Sequence, residues 1–168
     1  MIDILWAGWR RTFVEGVSTK QEMLGCILCK LGEPNTVESN LVLHYGEGNY
    51  VVLNAYPYAP AHLMVIPYLH HNDILDLSQE EAIENTLLLR RAIGIVRDVY
   101  NPDGFNVGAN ISKAGGAAID DHVHFHLVPR WIGDTNFATT IANIRVLPES
   151  LDSTYGRLKD AWEKRDQS

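Results

Sequence analysis

The run Asp121-His122-Val123-His124-Phe125-His126-Leu127-Val128-Pro129-Arg130 constrains this chain more than any other stretch of it. Side chains alternate faces along a strand, so His122, His124 and His126 share one face while Val123, Phe125 and Leu127 take the other. At that spacing neighbouring imidazoles sit about 6.5–7 Å apart, and the outer pair about 13 Å apart. Two such rings can grip one metal ion, but three cannot converge on it without a break in the strand. Imidazoles crowded on one face and left without metal read as nucleophile, acid–base and anion-binding groups.

Composition bounds what such a site can belong to. With 168 residues the chain is most simply one domain over 1–168, long enough for a real core. No apolar run approaches a membrane span, and the first residues lack the basic-then-apolar pattern of a signal peptide, so the expected compartment is the cytoplasm. A net charge of −7 argues against a sequence-independent grip on nucleic acid, which needs a broad basic face. It leaves room for a small phosphorylated ligand. A glycine-rich loop, a protonated histidine or a helix N-terminus can hold phosphate inside an acidic protein.

The two cysteines, Cys26 and Cys29, form a single Cys-x-x-Cys. In a reducing compartment the choice lies between half a zinc site and a redox pair. A redox pair usually opens a helix after a strand, whereas here Gly25 precedes the pair and Lys30-Leu31-Gly32-Glu33-Pro34 follows, which reads as a turn. Zinc needs two more ligands and histidine is abundant, so metal is the favoured reading.

Residues 1–24 carry Trp6, Trp9 and Phe13 without a clear period and read as an arm packed on a 25–168 core. Segments 41–45 and 50–54 read as a hairpin about Gly46-Glu47-Gly48-Asn49, and a proline-bearing loop over 56–61 leads into a third strand over 62–67. Ser78-Gln79-Glu80-Glu81 is a capping-box signature, and Leu89, Ile93, Val96 and Tyr100 follow at 4-3-4 spacing as one buried stripe. Asn101-Pro102-Asp103-Gly104 ends that helix. A fourth strand over 105–111, a loop over 112–121 and the histidine strand come next. Leu151, Tyr155, Leu158 and Trp162 mark a last helix. The predicted class is α+β: a five-stranded, mainly antiparallel sheet with one long crossover helix and a C-terminal helix.

His122-Val123-His124-Phe125-His126-Leu127-Val128 resembles the His-x-His-x-His-hydrophobic-hydrophobic motif of the histidine triad (HIT) superfamily of nucleotide hydrolases and transferases. The likeness covers nearly the whole chain. Leu5-Trp6-Ala7 with Trp9-Arg10 looks like that family's N-terminal arm. Cys26-x-x-Cys29, Asn54, His62-Leu63-Met64-Val65-Ile66-Pro67 and Gly104-Phe105-Asn106-Val107-Gly108-x-Asn110 follow in family order. Pro129-Arg130-Trp131-x-Gly133-Asp134-Thr135-Asn136-Phe137 is similar to the branch containing bacterial diadenosine tetraphosphate phosphorylases. Apolar Leu127 and Val128 side with the hydrolases and phosphorylases. The superfamily's galactose-1-phosphate uridylyltransferases end the motif in glutamine.

The resemblance implies a HIT-like fold and a role for each matching residue. His124 would be the nucleophile on an α-phosphorus, with His126 and His62 holding or protonating phosphate and leaving-group oxygens. Asn110 and the backbone N–H groups of Gly116, Ala117 and Ala118 would cradle phosphate, and Asn54 would meet the ribose hydroxyls. Many members carry Gln or Ser in the loop before the triad; Ala117-Ala118-Ile119 stands there here, so that contact must come from backbone or be absent. In zinc-bearing members the first triad histidine joins the Cys-x-x-Cys and an upstream histidine. That gives Cys26, Cys29, His122 and His70, with His71 a close rival, as a structural zinc site without an open position, and leaves His44 on a strand surface. The implied reaction is cleavage of a dinucleoside polyphosphate through a nucleotidyl-histidine intermediate. The acceptor is inorganic phosphate or water, and the 131–137 segment favours phosphate. A nucleoside phosphoramidate hydrolase and a nucleotide-binding module with little turnover are the alternatives. A homodimer is expected from the resemblance, and an open sheet with edges that need cover makes it physically plausible.

Overall fold

A computed structural model describes residues 25–35, 38–135 and 149–166. The arm expected over 1–24 and the Asn136-Phe137 end of the tail segment lie outside the described residues.

The turn expected after the Cys-x-x-Cys begins at Gly32, two residues later than read. Cys26 is the N-cap of a one-turn helix, α1 (Ile27–Leu31), which Gly32 closes. Tertiary packing accounts for the difference. Leu28 is buried, and its carbonyl accepts a hydrogen bond from the Tyr50 hydroxyl at 2.6 Å. The helix end comes so close to two rings that a Cβ on Gly32 would stand 3.1 Å from Tyr68 and 3.2 Å from Tyr50.

Strands β1 (Val42–Tyr45), β2 (Asn49–Leu53), β3 (Leu63–Pro67), β4 (Gly104–Ala109) and β5 (Phe125–Arg130) form one sheet in the order β1-β2-β3-β5-β4, with every neighbouring pair antiparallel. This is the α+β architecture that the sequence predicts. The crossover is helix α2 (Gln79–Tyr100), which leaves β3 and returns to the far edge at β4. Its capping box forms as read: the Ser78 hydroxyl accepts from Glu81 N at 3.1 Å and the Glu81 carboxylate from Ser78 N at 2.8 Å. Asn101, in the left-handed region at φ 45°, ends it.

The buried stripe of α2 is rotated from the one expected. Leu88, Ala92, Ile95 and Val96 are deepest, while Leu89, Ile93 and Tyr100 pack along the margin. One face of α2 meets the sheet and the next meets helix α3 (Leu151–Asp166) through Leu158 and Trp162, so the apolar arc is wider than a single line of residues. His44 is not a free surface residue: it is half-buried and its ring stacks on Trp162 at 5.2 Å.

The sheet is covered on both faces, which is why β2 and β3 are buried along their whole length. On the helix face, Val51, Leu53, Leu63, Val65 and Leu127 pack under α2 and α3. On the other face Val52, Met64 and Ile66 pack with Leu28 of α1 and Ile119 of the 112–121 loop. The site described below opens on that second face. Among the described residues, no helix is long and apolar enough to cross a membrane.

Strand β5 starts only at Phe125, leaving His122 and His124 in the segment ahead of the ladder. At the end of β3, Pro67 has no N–H to offer, and its carbonyl accepts from His122 Nε2 at 3.0 Å. Val123 N donates instead to the His71 carbonyl at 2.6 Å. The chain is thus irregular through His122 and His124, which frees these rings from the even spacing of a continuous strand.

Candidate active site

His124 and His126 line an open cleft on this face of the sheet. Asn54, at the end of β2, and Asn110, just beyond β4, also line it, together with Leu28, Met64, Ile119, Ala118, Tyr56 and Tyr58. The His124 and His126 rings meet edge to face with centroids 4.9 Å apart, closer than an even strand spacing gives.

Hydrogen bonds fix the proton on each ring. His124 Nδ1 lies 2.8 Å from the His122 carbonyl, an acceptor only, so Nδ1 carries the proton and Nε2 keeps its lone pair. Burial holds this imidazole below its ordinary pKa, favouring the neutral form at pH 7. His62 Nδ1 accepts from Tyr58 N at 3.1 Å, with Asn54 Nδ2 at 3.3 Å, so its proton sits on Nε2. That Nε2 donates to His126 Nδ1 at 3.0 Å, which places the proton of neutral His126 on its own Nε2. One backbone amide thus sets the tautomer of two rings in series. The cleft holds one neutral imidazole with a free lone pair beside a second that keeps an N–H donor. His62 itself is fully buried behind His126, where it orients that ring.

The 112–121 loop supplies Ala118 and Ile119 to the cleft wall. Gly116, at φ +87°, donates its N–H to the Lys113 carbonyl at 3.0 Å, and Ala117 donates to the Ser112 carbonyl at 3.3 Å. These two amides close the loop's own turn, so the expected phosphate cradle needs the loop to reopen at Gly116 and Ala117. Asn110 Nδ2 is 3.5 Å from the Gly116 carbonyl and ties the loop to the end of β4.

A second cluster lies behind His122. One donor atom each from Cys26, Cys29, His70 and His122 lies within 4.8 Å of all the others. Cys26 Sγ is 3.4 Å and Cys29 Sγ 3.5 Å from His122 Nδ1, and Cys29 Sγ is 3.3 Å from His70 Nδ1. Tetrahedral zinc, at about 2.3 Å from sulfur and about 2.0 Å from nitrogen, sets sulfur and nitrogen roughly 3.5 Å apart, so the donor set fits that ion. The His122 tautomer fits too: Nε2 donates to Pro67 O, leaving the Nδ1 lone pair toward the sulfurs. Burial pushes His122 down to about 4 and the Cys26 thiol up to about 11. The two upstream histidines point to different neighbours. His70 faces the sulfurs with its Nε2 3.9 Å from the Asp121 carboxylate, whereas His71 Nε2 stands 3.5 Å from Glu81 on α2.

Comparison with known proteins bears on this geometry. Residues 35–131 match the HIT domain family model. The chain belongs to the HIT family. An AP-4-A phosphorylase of Mycobacterium tuberculosis is 41% identical over 128 residues, which cover 76% of this chain and 66% of that protein; the chain therefore spans just under two thirds of this relative's length. A bis(5'-adenosyl)-triphosphatase of Dictyostelium discoideum is 27% identical over 97 residues, 58% of this chain and 64% of the relative. In fold, the crystal structure of a zinc-bound histidine triad family protein from Mycobacterium smegmatis matches with a TM-score of 0.69 at 23% identity, covering 86% of this chain and 97% of that one.

Sequence reading of this HIT domain missed one wall of the cleft. Tyr58 packs on His62 and His126 with ring centroids 4.6 and 5.8 Å away, and Tyr56 and Leu28 also line the opening. Two tyrosines in a proline-stiffened loop that opens on Asn54 were the available signal. Leu28 gave none, because an apolar residue between two cysteines carries no mark of a ligand contact.

Proposed function

We propose that this HIT protein cleaves dinucleoside polyphosphates by nucleotidyl transfer through His124, with inorganic phosphate as the acceptor. The observation that carries this reading is the fixed pair of tautomers in the cleft, a lone pair on His124 Nε2 beside a donor on His126. Attack of His124 Nε2 on an α-phosphorus forms an N–P bond and breaks the bond to the departing nucleotide oxygen. The ring becomes cationic, and its Nδ1–H already points at the His122 carbonyl. His126 Nε2–H is the donor for the oxygen on which charge develops. An acceptor oxygen then attacks the same phosphorus, and His124 leaves with its electron pair. Asn54, at the cleft rim, is the residue proposed to meet ribose, and Asn110 with Ala118 to line the phosphate path.

The 41%-identical M. tuberculosis AP-4-A phosphorylase supports this substrate class and acceptor. Diadenosine tetraphosphate incubated with and without millimolar phosphate is the test. ATP with ADP, formed faster when phosphate is present, is the expected result. ATP with AMP, unaffected by phosphate, makes the protein a hydrolase, the activity that the D. discoideum relative's name records for that protein. No turnover with retained nucleotide binding makes it a binding module.

The tetrad of Cys26, Cys29, His70 and His122 is proposed to hold one zinc ion. With four protein ligands and no open position, the ion would serve structure and take no part in the reaction.

A further inference from the structure

The metal tetrad and the cleft are built from the same two pieces of chain. Leu28 lies between the ligands Cys26 and Cys29, is 2% exposed, and forms an apolar wall of the cleft with Met64 and Ile119. A wall of that character suits the face of a nucleobase rather than a phosphate. Its backbone is pinned from behind by the Tyr50 hydroxyl, 2.6 Å from the Leu28 carbonyl. On the other side, His122 turns Nδ1 toward both sulfurs while its carbonyl accepts a hydrogen bond from His124 Nδ1, 2.8 Å away. The tetrad therefore reaches the cleft twice, once at the base wall and once at the nucleophile.

Helix α1 has five residues, far too few to hold its own shape in water, so what clips it decides where Leu28 stands. The Tyr50 hydroxyl clips it from behind, and ligation of Cys26 at its start and Cys29 inside it would add a clip on either side of Leu28. We infer that metal in the tetrad and nucleotide in the cleft bind cooperatively, with Leu28 carrying the coupling on the base side. A metal-filled tetrad fixes the wall before nucleotide arrives, and nucleotide pressed on the wall holds the two sulfurs in ligating positions. Because coupling between two ligands is reciprocal, each raises the other's affinity by one common factor, here on the order of tenfold. The inference rests on the nucleotide reading above for the identity of the second ligand.

The test uses the full chain loaded with one equivalent of zinc, AMP as the probe, and a chromophoric chelator that competes for the metal. A parallel titration of chelator, zinc and AMP without protein removes any direct effect of AMP. Saturating AMP should tighten zinc about tenfold, and calorimetry should give AMP binding weaker by the same factor in metal-stripped protein. Leu28→Ala keeps all four ligands and should bring the factor toward one at AMP concentrations that saturate the variant. Tyr50→Phe, which alters no cleft-lining side chain and removes the hydroxyl that holds the Leu28 carbonyl from behind, should reduce it as well. Zinc affinity indifferent to saturating AMP overturns the coupling, and an undiminished factor in both variants overturns the role of Leu28. If AMP binds the zinc-loaded protein without linkage, the coupling alone falls. If AMP does not bind at all, the nucleotide reading falls with it.

Discussion

His62→Phe separates a histidine that positions from one that reacts. His62 is fully buried between Tyr58 and His126, accepting from Tyr58 N at 3.1 Å and donating to His126 Nδ1 at 3.0 Å, with the Asn54 amide also 3.3 Å from its Nδ1. Phenylalanine fills similar space and strands both. A stranded buried polar group costs about 1–3 kcal/mol, and Tyr58 is only part-buried, so the sum is about 2–4 kcal/mol. At about 2–4 °C per kcal/mol for a chain of this size, the melting temperature should drop by roughly 5–15 °C. Catalysis should suffer separately. Without the His62 donor, His126 is free to carry its proton on Nδ1, and an oriented donor of this kind is worth about 10²–10³ in kcat when wholly removed. Since the His126 ring remains, kcat should fall about 10–100-fold with KM little changed. Steady-state kinetics on His62→Phe, His126→Ala and the double variant, at a temperature where all three stay folded, decides the matter. If His62 acts through His126, the double variant is no slower than His126→Ala alone. Full additivity, or an unchanged kcat in His62→Phe, refutes the relay.

His124→Ala should lower kcat by orders of magnitude while circular dichroism and nucleotide binding stay near those of the parent, and mass spectrometry of quenched reactions should lose the nucleotidyl adduct. Elemental analysis should find one zinc per chain, absent from Cys26→Ser/Cys29→Ser and lost from His70→Ala but not from His71→Ala. The Glu149 carboxylate, held down to about 2 by the Ser153 and Tyr100 hydroxyls, contributes stability that is complete above its ordinary value of 4.5 and is lost as pH falls toward 2. Glu149→Gln should therefore flatten the acid limb of a melting-temperature profile in that window, and an unchanged slope would contradict the assignment. Light scattering at micromolar concentration should return the mass of a homodimer; a monomer mass would end that expectation.

Local signals in the sequence were faithful where neighbours along the chain decide the outcome. The capping box of Ser78 and Glu81, the stop at Asn101 and the 4-3-4 line ending at Trp162 are of this kind, and all stand in the fold. The family motif carried further, bringing His124, His126, Asn54 and Asn110 to one cleft and His70 with His122 to the cysteines. What stayed hidden depends on segments far apart in sequence. Helix α1 exists because Tyr50 and Tyr68 lie beneath it, not because its five residues favour a helix. The early end of the β5 ladder follows from Val123 pairing with His71, which no periodicity foretells. The tautomers of His62 and His126 hang on the Tyr58 amide, a group that every residue but proline possesses.

The two borders of the sheet are unlike one another. Along β1, α3 reaches over with the Tyr155 hydroxyl on the Val42 carbonyl at 3.2 Å and Lys159 Nζ on the Leu43 carbonyl at 2.9 Å. Along β4, the middle residues Asn106, Val107 and Gly108 are exposed, and among the described strands β4 pairs with β5 alone. Among the described residues, extension by a further strand is thus blocked at one border and open at the other. A molecule with a single open border can join one copy of itself about a two-fold axis, after which neither has a border left to offer. Growth stops at two. The same side chains that dock α3 therefore also guard this five-stranded sheet against polymerising head to tail, a safeguard that Tyr155→Phe with Lys159→Ala would weaken.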